Sequence, residues 1–188
     1  MSGDHVTEYD LMPIPPDEER TEWFEAGSLA IGVEYRRLTD AIAAAAALDP
    51  AEGTAGSSAA AATGLDDRGV SLHVCVAEAG ARREHLRFDC FQEDPHYHYV
   101  SHAPRFNHML HLDPIADGDP LAWALERIRT RLPQMLARAG AAEAAAKLDA
   151  AALDALLPRV AEAAYRARYA GHEVAERAVA APAAGARR

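Results

Sequence analysis

Several short stretches of the chain alternate large apolar side chains with small or polar ones, a pattern typical of half-buried β-strands. The clearest stretches are residues 28–36, 69–78 and 84–91. Two shorter stretches follow, 96–102 and 107–112, each after a short turn that contains proline. Because turns this short join neighbouring antiparallel strands, the pattern predicts a sheet of about five strands in meander order.

After the strands, apolar residues recur every three or four positions, which is the period of an amphipathic helix. Asp119 followed by Pro120 is a typical helix start, because aspartate caps a helix and proline suits its first position. A further helical run covers 142–169, and we expect Pro158 to disturb it and Gly171 to end it. Strands followed by helices predict an α+β fold with the C-terminal helices packed on one face of the sheet.

The length of 188 residues suits a single domain covering 1–188. Residues 1–20 are polar and contain several prolines, so we expect an extended or loosely docked N-terminal arm. Residues 49–67 consist largely of Ala, Gly and Ser, and cannot bury enough surface to offset the entropy of ordering them. We interpret them as a low-complexity mobile insert, and we expect residues 172–188 to form a frayed tail.

The charge of the chain limits its partners. A net charge of -10 at pH 7 disfavours binding to nucleic acid or to an anionic membrane surface, and we predict neither. The sequence contains no apolar run long enough to span a bilayer, and its acidic N-terminus does not resemble a signal peptide. Two cysteines, Cys75 and Cys90, are too few for a disulfide framework. These features predict a soluble cytoplasmic protein.

Histidines are concentrated in the predicted sheet: six of the nine lie between His85 and His111, and His73 lies just upstream. Successive side chains of a strand point to opposite faces, so the apolar pattern fixes the face that each histidine occupies. In the predicted register Asp89 lies opposite His98, and His98 lies opposite His111. The polar face then carries a row of four residues across four strands, with three more beside it: His73, Asp89, His98 and His111, flanked by His96, Arg87 and His102.

Neutral imidazole and carboxylate groups are common ligands of zinc and iron, and neighbouring strands bring such groups within reach of one ion. We therefore predict a mononuclear site for a divalent transition metal, Zn or Fe, in an enzyme that activates water or dioxygen towards a small-molecule substrate. The candidate catalytic residues are Asp89, His98 and Arg87, with Arg87 paired to Asp89 or to an anionic substrate. The candidate metal ligands are His73, Asp89, His96, His98 and His111.

The same face has other interpretations. One face of an antiparallel sheet is often simply solvated. A histidine-rich face could also contact a partner chain or a second copy in a homo-oligomer, which would make the protein a non-catalytic interaction or assembly module. A metal-free acid–base site, in which Asp89 orients the imidazole of His98, is a further alternative. Finding a bound metal would distinguish the metal-site interpretation from these alternatives.

Overall fold

A computed structural model of the chain describes residues 6–9, 12–47, 64–78 and 80–180. These residues form one antiparallel sheet with helices, which confirms the predicted α+β class. The strands are β1 (Val6–Tyr9), β2 (Glu22–Ala26), β3 (Leu29–Thr39), β4 (Asp66–Glu78), β5 (Ala81–Phe91), β6 (His96–His102) and β7 (Arg105–His111). The helices are α1 (Asp40–Ala47), α2 (Pro120–Arg138), α3 (Ala142–Ala146) and α4 (Ala150–Ala180).

The sheet has seven strands in the order β1-β7-β6-β5-β4-β3-β2. Strands β2 to β7 follow one another as a meander, as predicted, but the predicted number of about five was too low. The two additional strands are short and lie at opposite edges of the sheet. β1 is exposed along its length and β2 buries Phe24 alone, so neither shows the alternation of a half-buried strand.

This strand order forces the N-terminal chain across one face of the sheet. β1 pairs with β7 at one edge, whereas β2 pairs with β3 at the other. The intervening residues 12–21, which we call the crossing segment, contact the polar face. The guanidinium of Arg36 on β3 donates to the carbonyl oxygens of Ile14 and Pro15. The backbone N–H of Asp17 donates to the carboxylate of Glu34, also on β3.

The opposite, apolar face of the sheet packs against α2 and α4 and forms the hydrophobic core. Leu72 and Phe88 from the sheet and Leu132 from α2 are among its fully buried members. Helix α4 continues through Pro158 and Gly171 to Ala180, so the expectations of a disturbance and a stop were wrong. Gly171 serves close packing instead, because a Cβ atom there would lie 2.2 Å from the ring of Tyr35. None of the described helices is both long and apolar enough to cross a membrane.

The structure describes parts of the three segments that the sequence predicts to be an arm, a mobile insert and a frayed tail. Strand β1 and most of the crossing segment fall within the predicted arm of residues 1–20. Asp66 and Asp67, at the end of the predicted insert, begin β4, whereas residues 48–63 lie outside the described residues. The predicted tail begins inside α4, and residues 181–188 lie outside the described residues.

The register of the histidine-bearing strands differs from the predicted one by two residues at each hairpin. Asp89 lies opposite His96, not His98, and His111 lies opposite His96 as well. At the β6–β7 hairpin, Ala103 and Pro104 alone form the turn, which is shorter than predicted. Because both shifts are even, Asp89, His96, His98 and His111 remain on the predicted face.

Candidate metal site

The polar face of the sheet is buried. His73 is 0% exposed, Asp89 4%, and His96 and His98 7% each. The crossing segment provides part of this cover, together with Trp23 of β2, whose ring lies 6.4 Å from that of His73. A solvated face, the simplest alternative interpretation, is therefore excluded for these residues. Buried charges and imidazoles require partners, and the partners divide the face into two groups.

The first group is a triad formed by Asp89, His96 and His98. Asp89 Oδ2 lies 3.4 Å from His96 Nε2 and 3.5 Å from His98 Nε2. Each residue offers one ligand atom, and the three atoms lie within 4.8 Å of one another. The triad follows directly from strand pairing, because Asp89 on β5 faces His96 on β6, and His98 follows on the same side of β6.

Hydrogen bonds fix the orientation of both imidazoles. His96 Nδ1 lies 2.7 Å from the backbone carbonyl oxygen of Asp94, and His98 Nδ1 lies 2.8 Å from Oδ1 of Asn107. Because a carbonyl oxygen can only accept, each Nδ1 carries a hydrogen and donates it. In the neutral imidazoles each Nε2 is then left with a lone pair, directed towards Asp89. Metal-binding histidines in proteins are commonly held by such a second hydrogen bond.

The triad favours an ionised aspartate. Burial alone would raise the pKa of Asp89, but the imidazoles of His96 and His98 and the charge of Arg87 hold that pKa well below its usual range. The second carboxylate oxygen, Oδ1, accepts a hydrogen bond from the hydroxyl of Ser71. Oδ2 is the oxygen that faces the two imidazoles.

Burial also opposes a charge on His96, but Asp89 and the Asp94 carbonyl outweigh it and raise the pKa of His96 above its ordinary value. A metal ion at the triad would compete with a proton for His96 Nε2, so any metal binding there should weaken as the pH falls.

The two distances from Asp89 Oδ2 to the imidazoles are long for direct hydrogen bonds and match those between two ligands of one ion. A charge-assisted hydrogen bond between nitrogen and oxygen is about 2.7–2.9 Å long. Two ligands of one metal, each bound at about 2.0–2.2 Å, are separated by roughly 2.8–3.6 Å at tetrahedral or octahedral angles. The distances of 3.4 and 3.5 Å from Asp89 Oδ2 to the two imidazole nitrogens fall in the second range.

The second group is a charged network around His73. Its Nδ1 lies 2.6 Å from Glu84 Oε1 and its Nε2 lies 3.2 Å from Glu34 Oε2. Arg87 donates two hydrogen bonds to the carboxylate of Glu84, of 3.0 and 2.6 Å. Burial opposes protonation of His73, but the two carboxylates outweigh it and raise its pKa. Burial likewise works against the Glu84 charge, yet Arg87 and His73 lower the pKa of Glu84 to about 2.

The structure thus brings together three of the five predicted metal ligands: Asp89, His96 and His98. His73 lies outside the triad, because both of its ring nitrogens face carboxylates. His111 also lies outside it: its Nδ1 contacts Asp94 Oδ1 at 2.6 Å, and its side chain is 44% exposed. Arg87 lines the cavity beside Asp89, but its two side-chain hydrogen bonds go to Glu84 and not to Asp89.

Residues 23–164 match the model of a family described as a domain of unknown function (DUF7700). The chain belongs to the DUF7700 family. No curated protein and no solved structure matches the chain. The DUF7700 match includes the whole triad, the His73 network, α2 and the first half of α4, whereas the crossing segment precedes it.

Two functional residues of this DUF7700 protein escaped the sequence prediction. Glu84 faces His73 because β5 contains a bulge: Val74 pairs with Leu86 and Cys75 with Glu84, so His85 is an extra residue. The second is Asp67, whose carboxylate accepts hydrogen bonds from the backbone of the turn after β5. Oδ1 accepts from Gln92 and Glu93, and Oδ2 accepts from Asp94. Asp67 therefore holds the turn whose Asp94 carbonyl orients His96.

A cavity of about 420 Å³ opens beside the triad. All three triad residues line it, and Met12, Pro13 and Ile14 of the crossing segment form part of its wall. With three potential ligand atoms on one side and a cavity on the other, the site would leave room for a small molecule next to an ion.

Glu84→Gln should lower the free energy of unfolding at pH 7 by about 3 kcal/mol, because it leaves Arg87 and His73 buried without their shared carboxylate. The pKa of Glu84 is depressed in the folded state, so its contribution is complete above the unfolded pKa of about 4.5 and is lost as the pH falls towards 2. Urea unfolding at several pH values measures both effects. The exposed Glu25→Gln variant is the matched control and should change stability by less than about 0.5 kcal/mol. If Glu84→Gln left the free energy of unfolding unchanged, the proposed network would be contradicted.

Asp67→Ala should loosen the turn at residues 92–94. Losing the carboxylate that accepts from Glu93 and Asp94 should speed hydrogen exchange of their backbone amides by about tenfold, as expected for a hydrogen bond worth about 1 to 1.5 kcal/mol. Amide exchange followed by NMR measures this, with the neighbouring exposed Asp66→Ala as control. Equal exchange rates in the two variants would show that Asp67 does not hold the turn.

Proposed function

We propose that this DUF7700 protein binds one divalent transition metal, zinc or iron, through Asp89 Oδ2, His96 Nε2 and His98 Nε2. The observation that carries the proposal is the orientation of the two imidazoles. Each donates its Nδ1 hydrogen to a fixed acceptor, so both Nε2 lone pairs converge on the same carboxylate oxygen. Buried lone pairs that face one another repel unless a proton or a metal ion lies between them.

We further propose that the protein is a metal-dependent enzyme acting on a small molecule. Two histidines and one carboxylate suit catalytic zinc as well as non-haem iron, since both keep coordination positions open for other ligands. A metal in this place would supply Lewis acidity towards water or a substrate oxygen, and iron would in addition supply redox chemistry with dioxygen. The cavity beside the triad supports this, because it offers space for a substrate next to those positions.

The protein's own residues have separable roles in this proposal. Asn107 and the Asp94 carbonyl hold the imidazoles in the ligating tautomer, and Ser71 holds the free oxygen of Asp89. Arg87, a predicted catalytic residue, acts through its positive charge, which keeps Asp89 ionised. The crossing segment covers the polar face and limits the access of water.

The alternatives are less well supported by the structure. A partner-binding face is disfavoured, because the chain's own crossing segment and β2 already cover much of the histidine-rich surface. A metal-free pair of Asp89 and His98 is disfavoured by their separation of 3.5 Å, which is long for a hydrogen bond between charged groups.

Untagged protein should bind one equivalent of zinc or iron(II), and loss of a ligand should abolish most of this affinity. We expect His98→Gln to weaken zinc binding by at least about a hundredfold, and Asn107→Ala, which removes the acceptor for His98 Nδ1, by about 10- to 100-fold. Competition with a chromophoric chelator measures the dissociation constants, and circular dichroism checks the fold of each variant.

His111→Gln is the matched control, because His111 lies on the same face but outside the triad. Its zinc affinity should equal that of the wild type. The assignment of ligands would be wrong if His111→Gln lost zinc as His98→Gln does. The proposed function itself would be wrong if the folded wild-type protein bound neither metal.

A further inference from the structure

The cavity beside the triad combines an apolar wall with a charged floor. Its charged lining residues on the sheet are Arg36, Arg87 and Asp89, and Asp94 lies at the turn before β6. Large apolar side chains come from the crossing segment and from four other places in the chain: Met12, Ile14, Leu38, Leu65, Phe91 and Met109. A ligand that fits this lining needs an apolar body and one polar or charged end.

The charges of the cavity lining indicate whether the polar end of the ligand is positive or negative. Of the two guanidinium groups in the lining, Arg87 is already paired with Glu84 by two hydrogen bonds, whereas Arg36 Nε lies 3.6 Å from Glu34. Arg36 is therefore the less tightly paired cation of the lining. A ligand that reached both Arg36 and a metal in the triad would meet two positive centres, which favours a negative group at that end.

Arg36 is placed to take part in this recognition. It lines the cavity and also holds the crossing segment, through the carbonyl oxygens of Ile14 at 3.2 Å and Pro15 at 3.4 Å. Its Nε lies 3.6 Å from Glu34 Oε1, longer than a direct charge-assisted hydrogen bond. Arg87, by contrast, is bound to Glu84 by two short hydrogen bonds and is less free to turn towards a ligand.

We propose that the ligand of this site is a small amphiphilic carboxylate, an inference that rests on the proposed metal site. Its carboxylate lies between the metal position and Arg36, and its apolar body contacts Met12, Phe91 and Met109. A cavity of about 420 Å³ corresponds to about fourteen water-sized volumes, which suits a ligand of roughly ten non-hydrogen atoms. Arg36 determines the preference for the carboxylate head.

The test uses the full chain loaded with one equivalent of zinc, and three ligands of equal length: octanoate, octanamide and octylamine. Calorimetric titration should show octanoate binding at least tenfold more tightly than octanamide, with octylamine weakest. Across butanoate, hexanoate and octanoate, affinity should rise by up to about fourfold for each methylene group that becomes buried.

Two variants separate the two roles of Arg36, which are to recognise the head group of the ligand and to hold the crossing segment. Arg36→Met should remove most of the preference for octanoate over octanamide and leave the part that the metal contributes, whereas Arg36→Lys should keep most of the preference. The ratio of the two affinities is the readout, because a loosened crossing segment would weaken both ligands equally and leave the ratio unchanged.

The outcomes distinguish this inference from the proposed function. If zinc binds in one equivalent but octanamide binds as well as octanoate, the carboxylate inference is wrong and the metal site stands. If Arg36→Met left the ratio of the octanoate and octanamide affinities unchanged, Arg36 would not recognise the carboxylate. If zinc does not bind, the proposed function fails and the inference fails with it.

Discussion

Burial of the polar face of the sheet is the constraint on which the site depends. Charged and imidazole side chains that are hidden from water must be paired, since an unpaired buried charge costs several kcal/mol. In this protein the buried polar residues form two groups, one in which the charges are fully paired and one in which they are not. The network around His73 satisfies its charges internally, with Glu34, Glu84 and Arg87. The triad leaves two imidazole nitrogens and a carboxylate oxygen facing one another, and this incomplete pairing is what a cation would complete.

Much of this arrangement follows from alternation along the strands. The apolar pattern predicted the face of most strand side chains, and that sufficed to predict the α+β sheet and to place Asp89, His96 and His98 on one polar face. Register was predictable only to within two residues, because hairpin length depends on how a turn is held. The turn at residues 92–94 is held by Asp67, which belongs to another strand and lay inside a segment interpreted as a mobile insert.

The remaining features depend on contacts that local sequence does not encode. The bulge in β5 turns Glu84 towards His73, and without that information His73 resembled a metal ligand as much as His98 did. The crossing segment covers the site because β1 and β2 lie at opposite edges of the sheet. Neither strand has the alternating pattern that identifies a strand in sequence. The enclosure of the triad and the cavity beside it could therefore not be predicted from sequence.

The most direct test of the metal site is X-ray absorption spectroscopy of the zinc-loaded wild-type protein. We predict two imidazole nitrogens and at least one oxygen, all at about 2.0–2.2 Å from the metal, and no sulfur. A sulfur ligand at about 2.3 Å would place the metal at Cys75 or Cys90. That result, or a first shell with fewer than two imidazoles, would contradict a site built from Asp89, His96 and His98.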